Sequence, residues 1–485
     1  MPFGKQVTNN IGGIPSVSQR NSDALSNFTI LHPRESPTVG SRMGDLITED
    51  DYGDFWSSRA EFVFATLLYC LNIGNLWRFP TQALKYGEGA FVYVYLILSL
   101  VFGIPLLFFE VAIGQYTNKG LMKVFHIVPL VEGVSLSMVF YCNTIIHLYD
   151  MIGVFNFIYF FSFVRTNAPL SSRTNYGEMC FYENRTNSLE NLHFLNEVVM
   201  LYLHAFEQMI ISLGLGMGPL INFGSYTTFR TPIHIDAVTV NICTMLASFL
   251  MTLIVFGAVG VHSNEQGYSD AVLEGQEYYV HVLLSKLFGR MAYGYTNVNI
   301  FLFYGAFFLA GFFASVKYGE LMIQFIYSKW DINPKHSSKI VLAFCLCQFV
   351  LGCGMMSYHG IILLYWSAHN IFSVFSVMTL VALEVSALSF IYRMRNFCED
   401  VEFMIGYRPS RWYKIVWYSS PFLCIIAIVA AGLEYYEIGV DWYGGFCLFS
   451  YLLVVVLPIV INGIYTCYQH IKKGVSIAES HLISH

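Results

Sequence analysis

The amino-acid sequence predicts an all-α polytopic membrane protein, and three observations predict it. Of its 485 residues, 55% are hydrophobic and 12% charged, where soluble domains carry about 25% charged residues; the mean hydropathy is +0.54. Apolar segments of roughly 20 residues, long enough to cross a bilayer as a helix, recur about ten times. Two of these segments are interrupted by glycine, proline and polar side chains at a depth where a lipid-facing helix would leave them unsatisfied.

Taken in order, residues 1–55 are polar, contain Ser, Asn and Pro, and read as a disordered tail without a cleavable signal. The first span, near 62–84, contains Leu68-Tyr-Cys-Leu-Asn-Ile-Gly-Asn-Leu-Trp-Arg-Phe-Pro80. Asn72, Gly74, Asn75 and Arg78 in its middle predict a broken helix whose freed carbonyls face an ion or a substrate, which points to transport. The second and third spans lie near 90–113 and 134–163, and residues 164–197 form a polar loop. The fourth, near 198–222, holds Ser212-Leu-Gly-Leu-Gly-Met-Gly-Pro219 and reads as a second broken helix. Close packing through small residues is the alternative for that segment alone, but two broken helices together point to a site near the bilayer midplane. Six further spans are expected near 237–261, 295–328, 340–358, 371–392, 415–433 and 443–467, followed by a tail over 468–485.

Basic residues set the orientation. Lys119 and Lys123, Arg230, Lys329 with Lys335 and Lys339, Arg393 to Lys414, and Lys472 with Lys473 all fall in loops on one side. That side is the cytoplasm, and both termini are expected there. The loop 164–197 is then extracellular, and Asn184 in Asn184-Arg-Thr186 becomes a candidate glycosylation site. Most of the 11 cysteines lie in apolar segments, where a buried thiol is the plain reading. Zinc spacing, a phosphate-binding glycine loop and a catalytic-nucleophile motif do not stand out, so an enzyme is not expected.

The sequence resembles the neurotransmitter:sodium symporter family. The motifs that carry the resemblance run in the family's order from about residue 56 to 467: Gly74-Asn-Leu-Trp-Arg-Phe-Pro80, Gly89-Ala-Phe91, Gly103-Ile-Pro105 with Glu110, Gly114-Gln-Tyr116, Tyr141-Cys-Asn-Thr144, Ser212-Leu-Gly214, Ser225-Tyr226 and Asn396 through Pro409. It implies an inverted-repeat symporter fold with two broken helices. It also implies sodium- and chloride-coupled movement of a small organic solute, amino-acid or amine-like, across the plasma membrane. The partners implied are the solute, Na+, Cl− and the lipid bilayer, not nucleic acid.

Residue by residue, the resemblance implies a first sodium site at Cys70, Asn75, Ser212 and Thr244, where the family usually has Asn at the last position. It implies chloride at Tyr95, Gln208, Ser212 and Ser248, and a second sodium site at Leu68, Leu71, Gly311 and Ser315. That second site has Ala314 where the family supplies an Asp or Thr oxygen, a loss that weakens it for a hard cation. Substrate-facing positions are Asn72, Tyr141, Cys142, Ile211 and Met217; Asn72 replaces the family's Asp or Gly, and Cys142 its Tyr. The outer gate joins Arg78 to an acidic position occupied here by His369, and the inner gate positions are Gly53 and Lys329, so both pairs are expected to be lost. Only 70 residues separate Cys142 from Ser212, leaving about ten spans instead of the family's twelve, with the fourth and fifth absent. These departures motivate an alternative expectation, a family member that does not transport and acts as a receptor, scaffold or partner subunit. A leak channel is a weaker third expectation.

Overall fold

The computed structural model describes residues 55–118, 120–166, 193–266, 284, 296–330, 337–355, 357, 360, 371–438 and 442–472. The described residues are helical throughout, with no strand among them. Eight helices are long and apolar enough to cross a membrane, and a ninth crossing is the bent pair Arg59–Cys70 and Gly74–Lys85, which turns by 48° at its break. A shorter apolar helix over Val198–Leu213 supplies the outer half of the second interrupted segment.

The first crossing consists of α1 (Arg59–Cys70), a π-helical turn over Gly74–Arg78 and α2 (Phe79–Lys85). Ser58 caps α1 by accepting the Glu61 N–H at 3.2 Å, the side-chain acceptor a helix start needs. The second crossing joins α3 (Gly89–Leu98) to α4 (Ile104–Thr117) through a π-helical turn over Ser99–Gly103. After the short α5 (Leu121–Val124), α6 (Gly133–Thr166) makes the third crossing. The chain resumes in α7 (His193–Leu213), so the fourth segment starts earlier than expected, and α6 also runs past 163. Residues 167–192 between them are fewer than the ~40 that two more membrane helices would need, in agreement with a shortened span count. Asn184 lies outside the described residues.

The inner half of the second broken helix is α8 (Pro219–Ser225). It is followed by α9 (Ile233–Gln266), α10 (Thr296–Trp330), α11 (Ser337–Met355), α12 (Ile371–Ser386), the amphipathic α13 (Met394–Ile405), α14 (Arg411–Ile438), α15 (Trp442–Tyr451) and α16 (Leu457–Lys472). The last helix extends a few residues beyond the expected boundary at 467. The buried core gathers around α1, α4, α7 and α8, with Phe79, Phe108, Phe109, Tyr69 and Trp417 all 2% exposed or less.

Glycine makes the contact between α4 and α8 possible. A Cβ on Gly114 would strike the Ile221 carbonyl, and one on Gly224 the Val111 carbonyl. The two backbones therefore touch directly, the small-residue packing that membrane helices use in place of a hydrophobic driving force.

Candidate functional site

The two breaks face each other. Beyond Leu213 the chain takes positive φ at Gly214 (67°), Gly216 (71°) and Gly218 (99°) before Pro219 starts α8. Side-chain-bearing residues rarely adopt that region, so the three glycines are what let the chain leave the helix there. Glu110 holds the unwound strand: its Oε1 accepts the Gly216 N–H at 2.5 Å. From the first break, the Tyr69 hydroxyl donates to the Gly214 carbonyl at 2.9 Å.

Asn75 stands where both breaks release carbonyls. Its Nδ2 donates to the Cys70 and Ser212 carbonyls, the latter at 3.1 Å. Its Oδ1 accepts from the Ser212 and Ser248 hydroxyls, the latter at 2.9 Å. Asn75, Ser212, Thr244 and Ser248 are each 0% exposed. Of the first sodium set, the structure thus brings Cys70, Asn75 and Ser212 into one hydrogen-bonded cluster. Thr244 reaches it through Ser248, which also donates to the Thr244 carbonyl at 3.1 Å. The Thr244 Oγ1 is buried without a hydrogen-bond partner, an arrangement that costs about 1–3 kcal/mol unless something else satisfies it.

The chloride positions adjoin the same cluster. The Tyr95 hydroxyl and the Ser212 Oγ are 2.8 Å apart, and Gln208 donates through Nε2 to the Gly74 carbonyl at 3.1 Å. Gln208 Oε1 accepts from Arg78. These donors are spent on protein acceptors, so an anion would enter by taking them over.

A cavity of about 40 Å³ lies beside the break, with Ile73, Trp77, Arg78, Tyr141, Tyr149, Ile211 and Met217 among its walls. Three expected substrate positions, Tyr141, Ile211 and Met217, line it; Asn72 and Cys142 do not. Asn72 folds back to accept the Gly74 N–H at 2.7 Å, which closes the break locally. A backbone N–H can only donate, so the atom it meets is the amide oxygen. Nδ2 is left over as a donor, buried and without a partner. The Cys142 thiol donates to the Met217 carbonyl at 3.0 Å, bonding the unwound strand instead of facing the cavity.

The second sodium set has fewer side-chain oxygens. Leu68 is 42% exposed. Gly311 is pressed between Ile73 and the α6 backbone at Tyr149 and Gly153, and Ala314 is fully buried with no oxygen to offer. The Ser315 Oγ is buried without a hydrogen-bond partner.

At the other end of the site, Arg78 has an acidic partner at a position other than the expected gate position. Arg78 forms an ion pair with Glu207 on α7, and both are almost fully buried. A buried guanidinium left alone would cost about 3–5 kcal/mol, which is the signal that a carboxylate had to be near. His369 lies outside the described residues. At the inner end Gly53 also lies outside them, but other groups close the path. Trp56 donates through Nε1 to the Phe223 carbonyl at 3.0 Å and stacks edge-on against Tyr226. Arg59 meets the buried Asp236 at 2.7 Å. Neither Glu207 nor Asp236 was singled out by sequence reasoning.

Comparison with known proteins agrees with this geometry. A family model described as the sodium:neurotransmitter symporter family matches residues 53–198 and 190–473, two stretches that meet where the chain is short. The chain is 22% identical to the sodium-dependent dopamine transporter of Caenorhabditis elegans, over 86% of this chain and 85% of the relative. It is 21% identical to the sodium- and chloride-dependent glycine transporter 2 of Xenopus laevis, over 92% and 73% respectively. The solved structure of MhsT in complex with L-phenylalanine superposes with a TM-score of 0.61 at 20% identity, covering 79% of this chain and 99% of that one. A match over most of its length places this chain in the sodium:neurotransmitter symporter family, a family of multi-pass membrane transporters and not of enzymes.

Proposed function

We propose that this protein is a plasma-membrane symporter in which Asn75 is the sodium-dependent switch, chloride assists at Tyr95, Gln208, Ser212 and Ser248, and both termini are cytoplasmic. The observation that carries the reading is the Asn75 amide between carbonyls freed by both broken helices. With Nδ2 toward Cys70 and Ser212, those carbonyls are satisfied without a cation. Turning the amide over sets Oδ1 beside the same two carbonyls, and three oxygens then converge, a donor set suited to Na+. The Ser212 and Ser248 hydroxyls can accept as readily as they donate, so they suit either orientation. Thr244 Oγ1, otherwise unpartnered, is available as a further oxygen. Sodium would thereby fix the first broken helix against the second, and its inward gradient would drive the cycle.

The solute is small and brings a hydrogen-bond acceptor. Arg78 stands among the otherwise aliphatic and aromatic cavity walls, and its Nε is a buried donor without a partner. A small carbonyl or carboxylate solute, like the glycine in one relative's name, fits that lining better than a cation recognised by its charge. Proteoliposomes holding the purified chain, with an imposed sodium gradient and a panel of small amino acids and their amides, test this. Sodium-dependent accumulation that Asn75→Ala abolishes is expected. Correctly inserted protein with no sodium-dependent uptake, current or ligand binding would instead assign a receptor, scaffold or partner-subunit role.

A further inference from the structure

The pairing of Arg78 continues past Glu207. On α7, one turn before that carboxylate, His204 places Nδ1 at 3.3 Å from Glu207 Oε2 and Nε2 at 3.2 Å from Glu434 Oε2 on α14. The His204 side chain is 12% exposed, Glu207 4% and Glu434 22%. A neutral imidazole carries one N–H, so its second nitrogen would present a lone pair to a carboxylate. The imidazolium suits both contacts: Nδ1 is hydrogen-bonded to Glu207, and Nε2, which makes no hydrogen bond, lies at ion-pair distance from Glu434. In that form Arg78 and His204 both face Glu207, and His204 also faces Glu434.

The surroundings suit a cation. The Tyr86 ring stacks on His204 with centroids 3.8 Å apart and planes at 21°, and its hydroxyl donates to Glu434 at 3.4 Å. Lys85 Nζ lies 5.1 Å from the centroid of the Tyr86 ring. Glu207 from α7, Glu434 from α14, and Tyr86 with Lys85 from the end of the first broken helix are the titratable groups facing His204; Arg78 is reached through Glu207. Three elements are tied here, all on the outer side of the cavity.

We propose that His204 is the bolt of a proton-operated outer latch, which replaces the lost gate pair and holds α14 against the outer halves of both broken helices. The proposal adds a regulator to the symporter reading. The sign follows from the charges. The latch is complete while His204 is protonated and both carboxylates are ionised. It weakens as pH rises through the titration of His204, because the neutral imidazole loses its attraction to both carboxylates and turns a lone pair toward one of them. Alkaline medium outside the cell therefore favours opening toward that side.

The test uses the full chain in cell membranes, with Leu148→Cys in the cavity wall and a membrane-impermeant methanethiosulfonate added outside. Labelling rates are compared with and without His204→Gln at about pH 6 and about pH 9, on either side of the ordinary histidine range. Taking their ratio at each pH removes the thiol's own pH dependence, and the chain without Leu148→Cys gives the background from native cysteines. The expected result is labelling several-fold slower with His204 than with Gln at the lower pH, and convergence at the higher one. His204→Arg, which stays charged at both pH values, is expected to keep labelling slow throughout, a readout that also serves if His204→Gln fails to reach the surface. Equal labelling with and without His204 at both pH values, or labelling in His204→Arg that rises with pH as it does with histidine, overturns the proposal. Because labelling requires neither solute nor sodium gradient, it can fail or succeed independently of the uptake experiment.

Discussion

Two cation positions inherited by the same fold have fared differently. Around Asn75, two freed carbonyls and two serine hydroxyls converge on one buried amide, and an unpartnered threonine oxygen stands in the next layer. Around Ala314, the oxygen is gone, Gly311 is wedged against α6, and Leu68 is exposed. A polar cluster in a membrane interior survives only when every member is satisfied, since each orphan is costly. The first position keeps a self-satisfied set of oxygens that the proposed switch can turn toward a cation; the second keeps fewer side-chain oxygens. Under the proposed function, the difference points to one sodium position per cycle.

That comparison can be broken most directly at Asn75. Asn75→Ala removes the partner of two carbonyls and two hydroxyls at ~1–3 kcal/mol each, so sodium affinity should fall about 100-fold or more; sodium titration of thermal unfolding measures it, and an unchanged midpoint refutes the switch. Next in size, Ser248→Glu supplies a fixed carboxylate where chloride would sit. Uptake in chloride-free medium should rise about tenfold toward the chloride-containing rate, the order of one charge-assisted hydrogen bond at ~1.5 kcal/mol or more. Identical chloride dependence in the variant would remove chloride from this site. Ala314→Asp sharpens the contrast from the other side. A buried lone carboxylate costs several kcal/mol, so the variant should become sodium-dependent for stability, and the sodium dose-response should steepen from a Hill slope of about one toward two. A slope that stays flat with stability lost would show that α10 no longer offers a cation position. Smallest, Thr244→Asn adds a longer amide oxygen, and the sodium midpoint should improve by about twofold to fivefold, within a single hydrogen bond's worth.

Much of the architecture was legible because its signals are local. Three glycines and Pro219 in one apolar stretch, paired with the polar break at 68–80, point to a broken helix, and the break appears where they stand. The partners of Asn75 were legible through motif resemblance, and the geometry gathers them. The outer network was not, because Glu434 and His204 are remote in sequence and no periodicity joins them. One physical signal was present: Arg78 inside an apolar span demands a counter-charge, and Glu207 is one of few carboxylates at that depth. Asn72 was misjudged as a cavity residue for a related reason. Its side chain is short enough to serve the backbone two residues on, a competition that side-chain chemistry alone does not reveal.

Helix α14 has a further consequence. Its inner portion is pinned to the second crossing, with the Trp412 Nε1 donating to the Val101 carbonyl at 3.3 Å and the Trp417 Nε1 to the Pro105 carbonyl at 2.9 Å. Its outer portion carries Glu434, and Pro421 interrupts the hydrogen-bond ladder between the two. A rod fixed at one end, releasable at the other and weakened in between is a lever with a built-in fulcrum. Movement at the Glu434 tip would be spent in bending at Pro421, so opening of the proposed latch need not disturb the end held by Trp412 and Trp417.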